Sequence, residues 1–257
     1  MHVARAVLCV ALTLALSASA SAAPPKIQRH VGPNGLTVLV VENHALPLVT
    51  IEIAAKNGAM TEPPNYSGLS HLYEHMFFKA NAVIPSQEAY MARVRELGIK
   101  FNGTTGTERV NYFFTTTSDH LDEAMVFMRD AIMTPRFDAV ELDKERVVVT
   151  AEMDRAESSP FYWFGRAVDQ RVWHKYLSRK DPLGSRKTVL SATPEMLRTI
   201  QKRYYVPNNS LLVVTGDVSA KEIFARTDEL YADWKRAADP FVAHPLVTHP
   251  PIKTSEL

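Results

Sequence analysis

The chain has 257 residues, 46% of them hydrophobic and 22% charged, with a formal net charge of +1. That is enough chain for one large domain or two small ones. The near-neutral balance, without any block of like charges, argues against a nucleic-acid or polybasic membrane partner. The single cysteine, Cys9, excludes a disulfide framework within the chain.

The N-terminus reads as a targeting segment. Arg5 supplies a positive start and residues 6–16 are apolar. Small residues follow, with two cleavage-type triplets, Ala18-Ser19-Ala20 and Ala20-Ser21-Ala22. The apolar run is too short to span a bilayer, which needs about 20 residues. Residues 1–22 are therefore expected to be a signal peptide that sends the chain to the periplasm or outside the cell, with no stable membrane insertion after cleavage. Cys9 lies within this segment, so thiol chemistry is not expected in the mature chain.

Residues 26–31 and 36–42 flank Pro33-Asn34-Gly35 and predict a hairpin. Residues 48–56 predict a third strand, and 58–67 a loop. Residues 67–79 predict a helix, with Gly68 weakening its first turn. Ser86 is placed to cap a helix that ends before Gly98 and carries Tyr90, Val94 and Leu97 on one face. Residues 100–107 and 110–117 predict a second strand pair. Ser118 is expected to cap a helix that Pro135 stops, and Asp138 a long helix carrying Val140, Leu142, Val147, Val148 and Val149. Residues 161–176 predict another helix, Thr193-Pro194-Glu195 a helix start, and residues 211–216 a buried strand. Ser219 opens a last helix reaching about Trp234. Strands before and after helix pairs predict the α+β class, a mostly antiparallel sheet with helices packed on one side. Residues 237–257, rich in proline and histidine, read as a linker.

The chemistry concentrates in His71-Leu72-Tyr73-Glu74-His75. Residues four apart stack on one helix face, so both imidazoles can reach one ion. Glu74 projects to the same side, free to act as a base. This is the His-x-x-Glu-His pattern of inverted zinc peptidases. Two histidines alone would hold zinc weakly, so a third ligand is needed. Glu145 and Glu152 lie seven apart on a predicted helix, hence on one face, with three valines between them. Helix geometry alone leaves two readings open, a buried polar task or a salt-bridged surface stripe beside Lys144 and Arg146.

Residues 67–79, Ser-Gly-Leu-Ser-His-Leu-Tyr-Glu-His-Met-Phe-Phe-Lys, resemble the metal helix of the pitrilysin/insulinase family of zinc peptidases, in particular its two-domain bacterial and mitochondrial-processing branch. In that family the third ligand is a glutamate a little under eighty residues past the second histidine, the position of Glu152 here. It lies in a matching Glu-Arg-x-Val-Val-x-x-x-Glu stretch, and Glu145 then matches the family glutamate that orients a ligand. Tyr205-Val206-Pro207-Asn208-Asn209 and the strand after it are similar to the end of the family's first domain. Asn102 falls where the family has Asn-Ala on the edge strand that receives substrate; the departures are Gly103 for the alanine and Glu108 for an aspartate. Asn102-Gly103 also reads as a simple turn.

The resemblance implies a zinc metalloendopeptidase with one zinc per chain, held by His71, His75 and Glu152. Glu74 would be the catalytic base and Asn102 a substrate contact. It implies a clamshell half spanning residues 26–236, a peptide substrate, and a second homologous half supplied in cis or in trans. The other expectation is a non-catalytic peptide-binding subunit or an inactive remnant of such a peptidase.

Overall fold

The computed structural model describes residues 25–173 and 180–246. The expected signal segment and residues 247–257 of the expected linker lie outside them. Six strands form one sheet: β1 (Gln28–Val31), β2 (Thr37–Glu42), β3 (Leu48–Ala55), β4 (Lys100–Thr105), β5 (Val110–Thr117) and β6 (Ser210–Gly216). Their order is β1-β2-β6-β3-β5-β4. Only the β2–β6 pair is parallel. The architecture is α+β, as expected. The two predicted strand pairs are not separate ribbons, because β3 and β6 join them into one sheet.

Side-chain alternation gives the sheet one dry face. Val38, Val40, Ile51, Ile53, Tyr112, Phe114, Leu212 and Val214 are buried there in matched register. Leu39, Glu52, Phe113 and Val213 point the other way and stay partly exposed. A one-residue slip would exchange the two sets, so burial fixes the register.

The described helices are α1 (Leu69–Phe77), α2 (Gln87–Glu96), α3 (Leu121–Met133), α4 (Ala139–Glu157), α5 (Pro160–Trp173), α6 (Arg186–Leu190), α7 (Pro194–Tyr204), α8 (Ala220–Leu230) and α9 (Pro240–Ala243). Three predicted caps are in place. Ser86 accepts from Ala89 N–H, Asp138 from Val140 and Glu141 N–H, and Thr193 from Met196 N–H. Ser118 is not a cap. Its hydroxyl donates to Asp217 Oδ2, and residues 118–120 make a 3₁₀ turn before α3 begins. The last predicted helix ends at Leu230; Trp234 lies past it and packs into the core. Helix α5 is described as far as Trp173, and the rest of the predicted 161–176 helix lies outside the described residues.

Gly68 does not weaken the first turn of α1 but precedes it, with a left-handed φ of 93°. A Cβ there would meet Leu183 O at 2.6 Å, so glycine is what lets the 181–184 loop close over the helix start. The free amides of that helix end are taken by a buried carboxylate. Glu62 accepts from Gly68 N–H at 2.8 Å and from Ser70 N–H at 2.7 Å. Burial pushes the Glu62 carboxyl up, against the pull of these two bonds.

A candidate metal centre

Helix α1 divides its residues between core and site. Leu72, Tyr73, Met76 and Phe77 are fully buried. Tyr73 stacks on Tyr205 with centroids 4.2 Å apart, and Phe77 stacks on Tyr112 at 3.7 Å. The hydroxyls of Tyr112 and Tyr205 meet at 2.8 Å. The Tyr205-Val206-Pro207 segment thereby clamps the helix from below. His71, Glu74 and His75 are left on the opposite face, toward α4 and a cavity.

The α4 segment is less apolar in its setting than its valines predict. Val147 is 67% exposed, and the buried face is Leu142, Glu145, Val149 and Met153. That spacing turns Glu145 and Glu152 toward α1. Glu145 Oε2 accepts from His75 Nδ1–H at 2.9 Å, while Lys79 Nζ sits 2.6 Å from Oε1. Burial alone would raise the Glu145 carboxyl, but the bonds from His75 and Lys79 outweigh it and hold the carboxyl below its ordinary value. The buried-task reading fits Glu145, and the surface stripe nearby is Lys144 with Glu141 and Arg146 with Asp143.

With Nδ1 bonded to Glu145, His75 turns its other ring nitrogen, Nε2, toward the site. It lies 3.3 Å from His71 Nε2. Glu152 Oε2 is 3.5 Å from His71 Nε2 and 3.8 Å from His75 Nε2. An ion with tetrahedral bonds of about 2.0–2.1 Å sets its ligands roughly 3.3 Å apart, so the triangle fits such an ion. Among the described residues these three are the group of histidines, cysteines and carboxylates close enough to share a metal. Desolvation, and secondarily the neighbouring His75, depress His71 to about 4, so it is neutral at ordinary pH. Two imidazoles and a carboxylate are a zinc-type donor set with positions left open.

Glu74 is adjacent but not part of the triangle. It lines a cavity of about 340 Å³ with His71, Gly103, Thr104, Thr105, Asp181, Pro182 and Leu183. Desolvation raises its carboxyl, and a hydrogen bond from Thr105 opposes that. Asn102 is not brought to the cavity. It lies on β4 between Phe101 and Gly103, on the opposite sheet face, and its Oδ1 accepts from Gly103 N–H at 2.9 Å. A larger cleft of about 550 Å³ along α5 shares Asp181 and Pro182 with the cavity but is lined by none of the candidate ligands.

Four neighbours of the site escaped the sequence reading: Glu62, Lys79, Thr105 and Asp181. Lys79 was legible, standing four residues past His75, in the turn just beyond the end of α1. Thr105 and Asp181 arrive from distant segments, while Glu62 precedes Gly68 by only six residues.

The profile of the insulinase family, peptidase family M16, matches residues 37–186. The chain belongs to this family. Residues 191–256 match the profile of the peptidase M16 inactive domain. An uncharacterized zinc protease of Rickettsia felis is 28% identical over 79% of this chain and 49% of its own length. Zinc protease PqqE of Helicobacter pylori is 25% identical over 93% of this chain and 54% of its own. The first half of the periplasmic protease PqqL from Escherichia coli has a TM-score of 0.75 at 24% identity, over 84% of this chain and 48% of that one, which is a likeness of fold. The chain spans about half the length of the curated relatives it matches.

Proposed function

We propose that this M16 chain is the zinc-binding half of a metalloendopeptidase that hydrolyses extended peptides. The observation that carries the reading is the convergence of His71 Nε2, His75 Nε2 and Glu152 Oε2, with Glu74 lining the adjoining cavity. His71, His75 and Glu152 hold one zinc. When bound, the ion supplies a Lewis acid for the scissile carbonyl and for water. Glu74 takes the proton of the attacking water and passes it to the leaving amine. Glu145 holds His75 in the tautomer that leaves Nε2 free. The extended substrate adds to the open edge of β4 by main-chain pairing, with Asn102 at that edge. Residues 26–236 form the metal-bearing domain and 237–257 lead toward a second half.

Two further observations support a second half. The chain spans about half of its relatives, and α5 offers an apolar stripe in which Phe161 is 83% and Phe164 70% exposed. The signal-like residues 1–22 and the periplasmic name of the Escherichia coli relative support export. No described helix is long and apolar enough to cross a membrane.

The test is metal analysis joined to hydrolysis of quenched extended peptides, by the chain alone and with candidate second halves. About one zinc per chain, and turnover that appears or rises with the second half, is expected. Zinc binding and peptide binding without turnover in any combination would instead make the chain a non-catalytic peptide-binding subunit.

A further inference from the structure

Glu74 is held by the strand beside it. Thr105 Oγ1 donates to Glu74 Oε2 at 2.5 Å. Two residues earlier, Gly103 lies against the same side chain. A Cβ on Gly103 would stand 2.9 Å from Glu74 Cγ and 3.0 Å from Glu74 Oε1. Gly103 and Thr105 share a face of β4, opposite Tyr112 and Val110 of β5. Strand β4 is the last in the sheet and pairs on one side only.

We infer that Thr105 is a positioning residue for Glu74, and that Gly103 is the matching steric requirement, so that the base is set by the sheet-edge strand and not by its own helix alone. This rests on the peptidase reading above. A glutamate side chain on α1 has three rotatable bonds and would sample several rotamers above an open cavity. The Thr105 hydroxyl fixes one carboxylate oxygen and leaves Oε1 beside Gly103 as the proton acceptor. The missing Cβ at residue 103 lets strand and carboxylate approach to contact. An extended peptide added to β4 and the base acting on it then take their positions from one backbone.

The experiment uses the full chain, with a second half if turnover requires it, and the variants T105V, T105S, G103A and E74A. Positioning errors near 1 Å cost about 100-fold in rate. T105V should therefore lower kcat by about 10- to 100-fold with KM changed less than about twofold and with zinc content unchanged. T105S, which restores the hydroxyl, should recover most of that loss. G103A should lower kcat in the same way. A second readout needs no turnover. In thermal unfolding of the zinc-free chain, T105V should lower Tm by about 2 °C or more, and by clearly less in the E74A background. Equal Tm effects in both backgrounds, or a T105V kcat within twofold of the parent, would overturn the inference. If no combination of halves hydrolyses peptides, the peptidase reading fails, while the unfolding cycle still decides whether Thr105 holds Glu74.

Discussion

Lys79 and Glu145 form an ion pair of 2.6 Å in which both side chains are nearly buried, and the second oxygen of the same carboxylate is hydrogen-bonded to His75 Nδ1. One glutamate thus joins a cation in the turn after α1 to the imidazole that faces the candidate metal position. Removing one partner of a buried pair leaves the other charge without compensation, which costs about 3–5 kcal/mol. Here His75 remains on Glu145, so Lys79→Met is expected to destabilise by the lower end, about 3 kcal/mol, read by denaturant unfolding. A loss under about 0.5 kcal/mol would show the pair to be incidental.

Metal binding should sort the carboxylates and imidazoles by role. His75→Ala and Glu152→Gln are expected to abolish most zinc binding. Glu145→Gln should keep the ion but weaken it by about 10–100-fold, the usual effect of altering a group that orients a ligand. Competition with a chromophoric chelator measures all three. Full occupancy in both His75→Ala and Glu152→Gln would remove the metal assignment.

Glu74→Gln should keep the zinc and lose hydrolysis by about 10²–10⁴-fold, because the amide cannot take the proton. Activity within tenfold of the parent would leave Glu74 a structural residue.

Acid should weaken the zinc-free fold through His71. Desolvation and the adjoining His75 hold it at about 4 in the folded chain, below its ordinary value of 6.5. The unfolded chain then binds more protons between these two values, so stability is complete above about pH 6.5 and falls as pH drops toward 4. The full swing for such a shift is on the order of 3 kcal/mol. Unfolding at pH 7 and pH 4.5, with His71→Gln for comparison, isolates this contribution. The same slope in the variant would assign the acid sensitivity to other groups.

The α5 stripe should matter for association and not for folding. Phe161→Ser and Phe164→Ser remove exposed rings, and surface changes of this kind are usually within about 0.5 kcal/mol for stability. Sedimentation with a candidate second half should show weaker binding for the double variant. Unchanged association would move the docking surface elsewhere.

Local chemistry makes much of this protein legible in its sequence. Alternating apolar residues and turn signals located all six strands, because burial on one sheet face acts on neighbours two apart. Asp138, Ser86 and Thr193 marked helix starts because a cap bonds amides only two or three residues away. His71, Glu74 and His75 stand out as candidates through helical spacing, which fixes a shared face. Where the signal was purely local it also misled. Ser118 has a cap's composition, yet its hydroxyl is taken by Asp217 from the end of β6. Gly68 looked like a weak first turn because the loop at Leu183 that demands it is far away in the chain.

Tertiary structure decided the relationships that cross the chain. Helix geometry left Glu145 and Glu152 between a surface stripe and a buried task; their convergence on α1 came from the packing of α4 against it. Asn102 and Thr105 sit three apart on one strand, and the pleat alone sends one to the outer face and the other onto Glu74. Asp181 reaches the cavity beside α1 only once the fold has brought separate segments together. Sequence spacing fixes which groups share an element and a face, because backbone geometry is repetitive. Which elements then meet depends on how the apolar faces bury one another, and that follows from the whole chain at once.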